Sequence, residues 1–207
     1  MFNIIVAGVG GQGSILASHI IAETAIQSSV SNNQNNVKVR VGETFGAAMR
    51  GGAVASHVKI GEDVYSPLVP ENKADIILAM EPLEALRVGV KYCKPGGMVI
   101  MNIRQYKSID VKTGQAKYPS ILEITESFKK LDVRTITLDA TKLAIQTGTG
   151  RAMNIVILGV LAANQKELIP RDVLEEVIKK RVPPKFIEAN MKAFELGYNF
   201  VIEQERG

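Results

Sequence analysis

The chain has 207 residues, 46% of them apolar and 22% charged, with a formal net charge of +4; this is globular composition with chain enough to bury a substantial core, and it excludes a disordered protein. Aromatic residues make up 5% with no Trp, and the Lys and Arg residues are scattered rather than striped, which argues against a nucleic-acid surface. One cysteine, Cys93, excludes an internal disulfide, a cysteine-rich zinc site and a self-contained iron–sulfur cluster.

No apolar run approaches the roughly 18–20 residues of a membrane span, and no secretory signal is recognisable, so a reducing cytoplasmic setting without membrane contact is expected. Phe2 to Ala7 reads as a buried strand, because Ile4, Ile5 and Val6 form a continuous apolar run. Gly8-Val9-Gly10-Gly11-Gln12-Gly13 breaks it, and Ser14 to Gln27 follows as a helix. The Asn-rich stretch 28–36 is a loop. Val37 to Val41 alternates apolar and basic residues and predicts a half-exposed strand. Gly42 to Gly52 is glycine-rich and expected to be irregular, with a helical turn near Ala47. Ala53 to Ile60 and Asp63 to Val69 are expected to be strands of a hairpin around Gly61-Glu62. Ala74 to Met80 is a further buried strand, and Pro82 suits the first turn of a helix reaching about Tyr92.

Lys94-Pro95-Gly96-Gly97 predicts a turn before a strand from Met98 to Ile103, and Arg104 to Tyr118 a polar connection. Ile121 to Leu131 is an amphipathic helix and Val133 to Leu138 a strand. Two helices, Ala140 to Gln146 and Ala152 to Ala163, flank the break at Thr147 to Gly150. Arg171 to Arg181 is another helix, and Pro183-Pro184 stops it and opens the last. That helix carries Ile187, Met191, Phe194, Tyr198 and Val201 at alternating spacings of four and three, a packing stripe for this chain's core or for a partner subunit. Strands alternating with helices predict an α/β fold, a Rossmann-like three-layer architecture with a mostly parallel, mixed sheet. No repeat or linker divides the chain, so one domain over 1–207 is expected, with a helical C-terminal segment from about 164 to 207.

Gly8, Gly10 and Gly13 match the dinucleotide fingerprint in spacing and in context, following a strand and opening a helix. The acidic residue that should hold a ribose about 20 residues on is missing. No Asp or Glu lies between Glu23 and Glu43, and Glu43 stands thirty residues after Gly13. A nucleotide-binding protein, a bare tight turn and a non-catalytic interaction module all predict this loop.

Five blocks in order carry a resemblance beside those alternatives: Val6 to Gly13; Phe45-Gly46-Ala47-Ala48-Met49-Arg50-Gly51-Gly52-Ala53-Val54 continued by Ser56 to Gly61; Tyr65 to Pro70; Ala74 to Leu86; and Met153-Asn154-Ile155-Val156-Ile157-Leu158-Gly159. Together they resemble the gamma-type domain of the 2-oxoacid:ferredoxin oxidoreductase family, most nearly the form that stands as a separate beta subunit in the indolepyruvate enzymes. Met49 departs from the Gln that many members carry, and Gly42-Glu43-Thr44 matches no family pattern closely. The resemblance implies a subunit of a complex that oxidatively decarboxylates a 2-oxoacid to an acyl-CoA and carbon dioxide with reduction of ferredoxin, coenzyme A being the co-substrate. It implies that thiamine diphosphate, Mg and the iron–sulfur clusters sit on a larger partner subunit, none on this chain, and that this chain supplies no catalytic residue and no metal ligand. Gly8, Gly10, Gly11, Gln12, Gly13, Arg50, Gly51 and Gly52 are then cofactor-binding or partner-facing, and 45–52 is expected at the partner interface.

Among the remaining polar residues, Arg50 beside Gly51-Gly52 reads either as a guanidinium meeting a phosphate or carboxylate or as one side of a surface salt bridge. His57 and His19 read as structural, and Cys93, with no base near it in sequence, as buried and inert. Glu81 is a strand-end acid or a helix-start acid. Asn154 is a helix cap or reaches into a cleft. A branched side chain at Gly11 is expected to crowd the turn.

Overall fold

The computed structural model describes residues 1–32, 36–46, 51–106 and 117–206. Arg50 and the expected turn near Ala47 lie outside them. The described elements are β1 (Phe2–Val9), α1 (Ser14–Ser31), β2 (Lys38–Phe45), β3 (Ala53–Gly61), β4 (Ala74–Ala79), α2 (Pro82–Tyr92), β5 (Cys93–Asn102), α3 (Ile121–Lys130), β6 (Arg134–Leu138), α4 (Ala140–Ile145), α5 (Met153–Asn164), α6 (Arg171–Arg181) and α7 (Ile187–Arg206). Short 3-10 turns at Gly150–Ala152 and Pro184–Phe186 lead into α5 and α7.

The strands form one sheet in the order β2-β3-β1-β4-β5-β6. β1, β4, β5 and β6 are mutually parallel, and β3 alone runs against its two neighbours, β1 and β2. The sheet is mixed and mostly parallel, as expected, yet the antiparallel contribution comes from elsewhere. The hairpin is β2–β3, with Phe45 opposite Val54 and Lys38 opposite Gly61. Glu62 to Val69 is not a strand. Pro67 has no N–H to give a ladder, and it lies across the face of β2, where a Cβ on Gly42 would come within 2.8 Å of it. Val64 and Val69 are buried, so the alternation that suggested a strand anchors a crossing segment to the core. β2 accordingly continues through Gly42 to Phe45, where irregular chain was expected. Lys94 to Gly97 is a bulged entry into β5 rather than a turn: Ala74 pairs with Cys93, Ile76 with Met98, and Gly96 takes up the extra length at φ 73°.

The sheet is covered on both faces, which gives the three layers. Ile4, Val6, Leu78 and Ile100 pack against α1, α4, α5, α6 and α7, whereas Ile5, Ala7, Ile77 and Val99 pack against α2 and α3. α5 is buried from Met153 through Ala163. α7 crosses it backbone to backbone: a Cβ on Gly159 would strike the Phe194 carbonyl oxygen, and one on Gly197 would strike that of Val156. The predicted stripe on α7 is core of this chain, with Phe194 and Val201 buried and Ile187, Met191 and Tyr198 packed around them. Glu23 of α1 receives Lys180 Nζ at 2.8 Å and Arg181 Nε at 2.5 Å and ties α6 to α1. No helix among the described residues is long and apolar enough to cross a membrane.

Candidate functional site

β1 hands the chain through α1 to one side of the sheet, and β4 hands it through α2 to the other, so the carboxyl ends of these adjacent strands form a topological switch point. The glycine loop stands there. Gln12 folds back under it: the Val9 N–H donates to Gln12 Oε1 at 2.8 Å, and the Gln12 N–H donates to the Val9 carbonyl at 3.1 Å. Gly8 makes room for this, since a Cβ there would lie 2.8 Å from Gln12 Oε1 and 2.9 Å from Met80 Cβ. Gly13 has φ 83° and caps α1 in the left-handed region. Gly11 has φ 105°, but a Cβ there would meet nothing within 4 Å. The expected crowding therefore belongs to Gly8 and Gly13, and Gly11 is required by backbone conformation alone.

Two glycine segments forty residues apart clasp each other. The Gly10 N–H donates to the Gly52 carbonyl at 2.9 Å, and the Gly51 N–H donates to the Gly10 carbonyl at 3.4 Å. The structure thus joins Gly8, Gly10, Gly11, Gln12 and Gly13 to Gly51 and Gly52. Beside the clasp is a cleft of about 250 Å³. Its polar end has Gly11, Gly13, Thr149, Arg151 and Asn154, and its apolar wall has Leu16, Val182, Pro183 and Phe186. No acceptor among the described residues meets the N–H groups of Gly11, Gly13, Ser14, Ile15 or Leu16. The start of α5 opens on the same cleft, so two helix N-termini and one guanidinium give its polar end positive character.

Asn154 does not cap its own helix. Its Nδ2 donates to the Gly13 carbonyl at 3.3 Å and would lie 2.6 Å from a Cβ on Gly13, so the side chain reaches into the glycine loop. Sequence reasoning missed Thr149 and Arg151, whose only signal was their place just before Asn154. It also missed Asn102, which ends β5 and bonds through Nδ2 to the Met80 carbonyl at 3.0 Å and to Thr141 Oγ1 at 3.1 Å. Glu81 is the N-cap of α2, accepting from the Glu84 N–H at 3.0 Å. The same buried carboxylate accepts the Tyr106 N–H at 3.1 Å and the Tyr118 hydroxyl, and so holds two points of the connection after β5. Burial and the bond to Glu81 push the Tyr118 phenol up, and burial raises Glu84 against the opposing pull of Arg87.

His57 is buried on β3; its Nδ1 accepts from the Val69 N–H at 3.2 Å, and its ring meets Tyr92 edge-on. Burial, helped by the Lys91 charge, lowers its pKa. His19 is half-exposed beside Glu43 at 3.6 Å. Cys93 is buried, which pushes its thiol up to about 11 and leaves it inert as read. Glu43 pairs with Ser56, which pairs with Val6, so it lies below the glycine loop and not at its rim. The place beside β1 that a dinucleotide fold gives to a parallel strand is taken by antiparallel β3.

The pyruvate ferredoxin/flavodoxin oxidoreductase family matches residues 3–200. This chain belongs to that family. Indolepyruvate oxidoreductase subunit IorB of Pyrococcus horikoshii is 40% identical over 197 residues, 95% of this chain and 94% of that protein. The IorB subunit of Archaeoglobus fulgidus is 38% identical over 200 residues, covering 97% and 95%. Among solved structures, the gamma subunit of a keto/oxoacid ferredoxin oxidoreductase from Geobacter sulfurreducens superposes with TM-score 0.67 at 26% identity, covering 96% of this chain and 97% of that one. A 2-oxoglutarate:ferredoxin oxidoreductase from Magnetococcus marinus shares the fold with TM-score 0.68 at 23% identity; the match covers 95% of this chain but 30% of that longer one. The match spans 94% and 95% of those two IorB subunits and 97% of the Geobacter gamma subunit.

Proposed function

We propose that this chain is the small subunit of an indolepyruvate or related 2-oxoacid:ferredoxin oxidoreductase of the cytoplasm. In this reading it is a single domain over 1–207 that works only in complex with a larger subunit. The observation that carries the reading is the 40% identity to indolepyruvate oxidoreductase subunits across 95% of the chain. The larger subunit holds thiamine diphosphate, Mg and the iron–sulfur clusters, which supply the decarboxylation and carry the electrons to ferredoxin. The residues of this chain do not fit those groups. A four-iron cluster needs several thiolates, and Cys93 is single and buried. No three His, Cys, Asp or Glu side chains among the described residues converge as metal ligands.

What this chain contributes is a shaped surface. The clasp of Gly10 with Gly51 and Gly52 joins two glycine backbones, and among the described residues a Cβ on Gly11 or Gly51 would meet nothing within 4 Å, an arrangement suited to face a partner. The cleft beside it pairs helix starts and Arg151 with an apolar wall, a combination that suits an amphiphilic anion; coenzyme A, the co-substrate, has that chemistry. Nucleic acid and membrane have no place in this scheme. The test is reconstitution. The chain should co-purify with a larger cofactor-bearing subunit encoded beside it, and the pair should reduce ferredoxin with indolepyruvate or another 2-oxoacid only when coenzyme A and both subunits are present. A larger subunit that neither binds this chain nor needs it for ferredoxin reduction would overturn the reading.

A further inference from the structure

Asn154 is engaged at one end of its amide only. The residue is 4% exposed, and its Nδ2 donates to the Gly13 carbonyl at 3.3 Å. That carbonyl is an acceptor and also receives the Ala17 N–H at 3.0 Å, so the amino end of the amide must meet it. A planar amide points its two ends apart, and Oδ1 is left to the cleft that Asn154 helps to line. Oδ1 accepts no hydrogen bond among the described residues, yet it is not one of the unpaired polar atoms sealed in the core. Neighbouring acceptors on the cleft are already engaged: Gln12 Oε1 takes the Val9 N–H at 2.8 Å, and Thr149 Oγ1 takes the Arg151 N–H at 3.2 Å. A buried polar group left unpaired costs stability, so a fixed acceptor held open on a cavity wall marks where a ligand supplies the donor.

The opposite demand stands beside it. Gly11, Gly13 and Leu16 line the cleft with N–H groups that meet no acceptor among the described residues, and Arg151 adds a guanidinium. Those donors call for anionic oxygens, whereas Asn154 Oδ1 calls for an O–H or N–H. A bare phosphate meets the first demand and sets its own lone pairs against the second. An organic phosphate with a hydroxyl or amide close to its phosphate meets both. We propose that Asn154 is a specificity-determining residue of this cleft, its Oδ1 accepting from a hydroxyl or amide beside the ligand's phosphate, so that the site selects such organic phosphates over inorganic phosphate. This inference rests on the coenzyme A reading above and adds the contact that discriminates. At about 250 Å³ the cleft is smaller than the roughly 300–1,000 Å³ of a site for a whole drug-sized ligand, so it takes one part of coenzyme A. Coenzyme A offers the required chemistry twice, in the hydroxyl of its pantetheine arm and in the ribose hydroxyl beside its 3′-phosphate. The apolar wall of Leu16, Val182 and Pro183 favours the first, where two geminal methyl groups stand between phosphate and hydroxyl.

The test varies the ligand before the protein. The full chain, alone and in the reconstituted complex, is titrated calorimetrically with 4′-phosphopantetheine and with its analogue lacking the hydroxyl beside the geminal methyl groups. The analogue should bind about tenfold more weakly, and inorganic phosphate more weakly still. In Asn154→Ala the two ligands should bind within about twofold of each other, because the acceptor is gone. A loosened glycine loop would weaken both alike and leave their ratio untouched, so the ratio separates recognition from support of the loop. Adenosine 3′,5′-bisphosphate and its 2′-deoxy counterpart form the second arm. A hydroxyl-dependent ratio in that pair alone, abolished in Asn154→Ala, upholds the role of Asn154 and assigns its contact to the ribose end. If neither pair shows a ratio with the native chain, or the ratio survives in Asn154→Ala, the role is overturned although the coenzyme A reading stands. If coenzyme A itself binds neither the native chain nor the complex, the coenzyme A reading fails first and this inference with it.

Discussion

Gly11 and Gly13 look alike in the sequence and differ in what constrains them. Gly13 combines φ 83° with a neighbour, Asn154, that a Cβ would strike, whereas Gly11 has only its φ of 105°. Gly11→Ala should cost about 1 kcal/mol, the scale of a left-handed alanine, and Gly13→Ala more, because Asn154 must also give way. Urea unfolding of both variants checks the order. His57 makes stability depend on pH. The fold holds its pKa below the ordinary value, so the unfolded chain binds a proton more readily, and stability falls as pH drops from 7 through the unfolded value of about 6.5. His57→Asn keeps an acceptor for the Val69 N–H but cannot titrate; its stability should change less between pH 7 and 5 than that of the native chain. Tyr118→Phe removes a hydroxyl from buried Glu81 and should cost about 1.5–3 kcal/mol, with faster hydrogen exchange at the Tyr106 amide as the specific sign.

At the scale of elements, apolar runs and breaks located most of the fold. The run Ile4-Ile5-Val6, the start of α2 at Pro82 and the stripe on α7 each mark an element by local chemistry that the final packing respects. Misreadings came where long-range contact decides. Val64 and Val69 look like one face of a strand, and only Pro67 lying against Gly42 makes them anchors of a crossing segment. The candidate site was half legible. The glycines Gly8 to Gly13 announce a turn, but their bond to Gly52 and the bridge from Asn154 to Gly13 span 42 and 141 positions, beyond any local pattern. The crossing of α5 and α7 is similarly invisible, since Gly159 and Gly197 carry no signal until the helices meet. Gly197→Ala would put a methyl into the Val156 carbonyl and should cost about 3 kcal/mol, read as a lower melting midpoint with an unchanged far-ultraviolet spectrum.

Across the whole molecule, the candidate site is assembled from parts of the chain that are remote in order. Arg151 tests the cleft at this scale: Arg151→Ala should raise the KM for coenzyme A in the reconstituted complex about fivefold, the weight of one exposed charge contact near 1 kcal/mol, with subunit affinity unchanged. The bridge from Asn154 to Gly13 has a temporal meaning as well. The glycine loop is made among the first residues to leave the ribosome, but its partner on α5 is made only after three-quarters of the chain, and α7 must then close over α5 at Gly159. A nascent or truncated chain ending before residue 154 has the loop, its Gln12 fold-back and its clasp with Gly52, and lacks the bridge from Asn154 and the rest of the cleft. The cleft, walled by residues 149–154, 182, 183, 186 and 190 as well as by the loop, is thus complete only late in synthesis, and a chain cut short in its last quarter carries the glycine loop without the site.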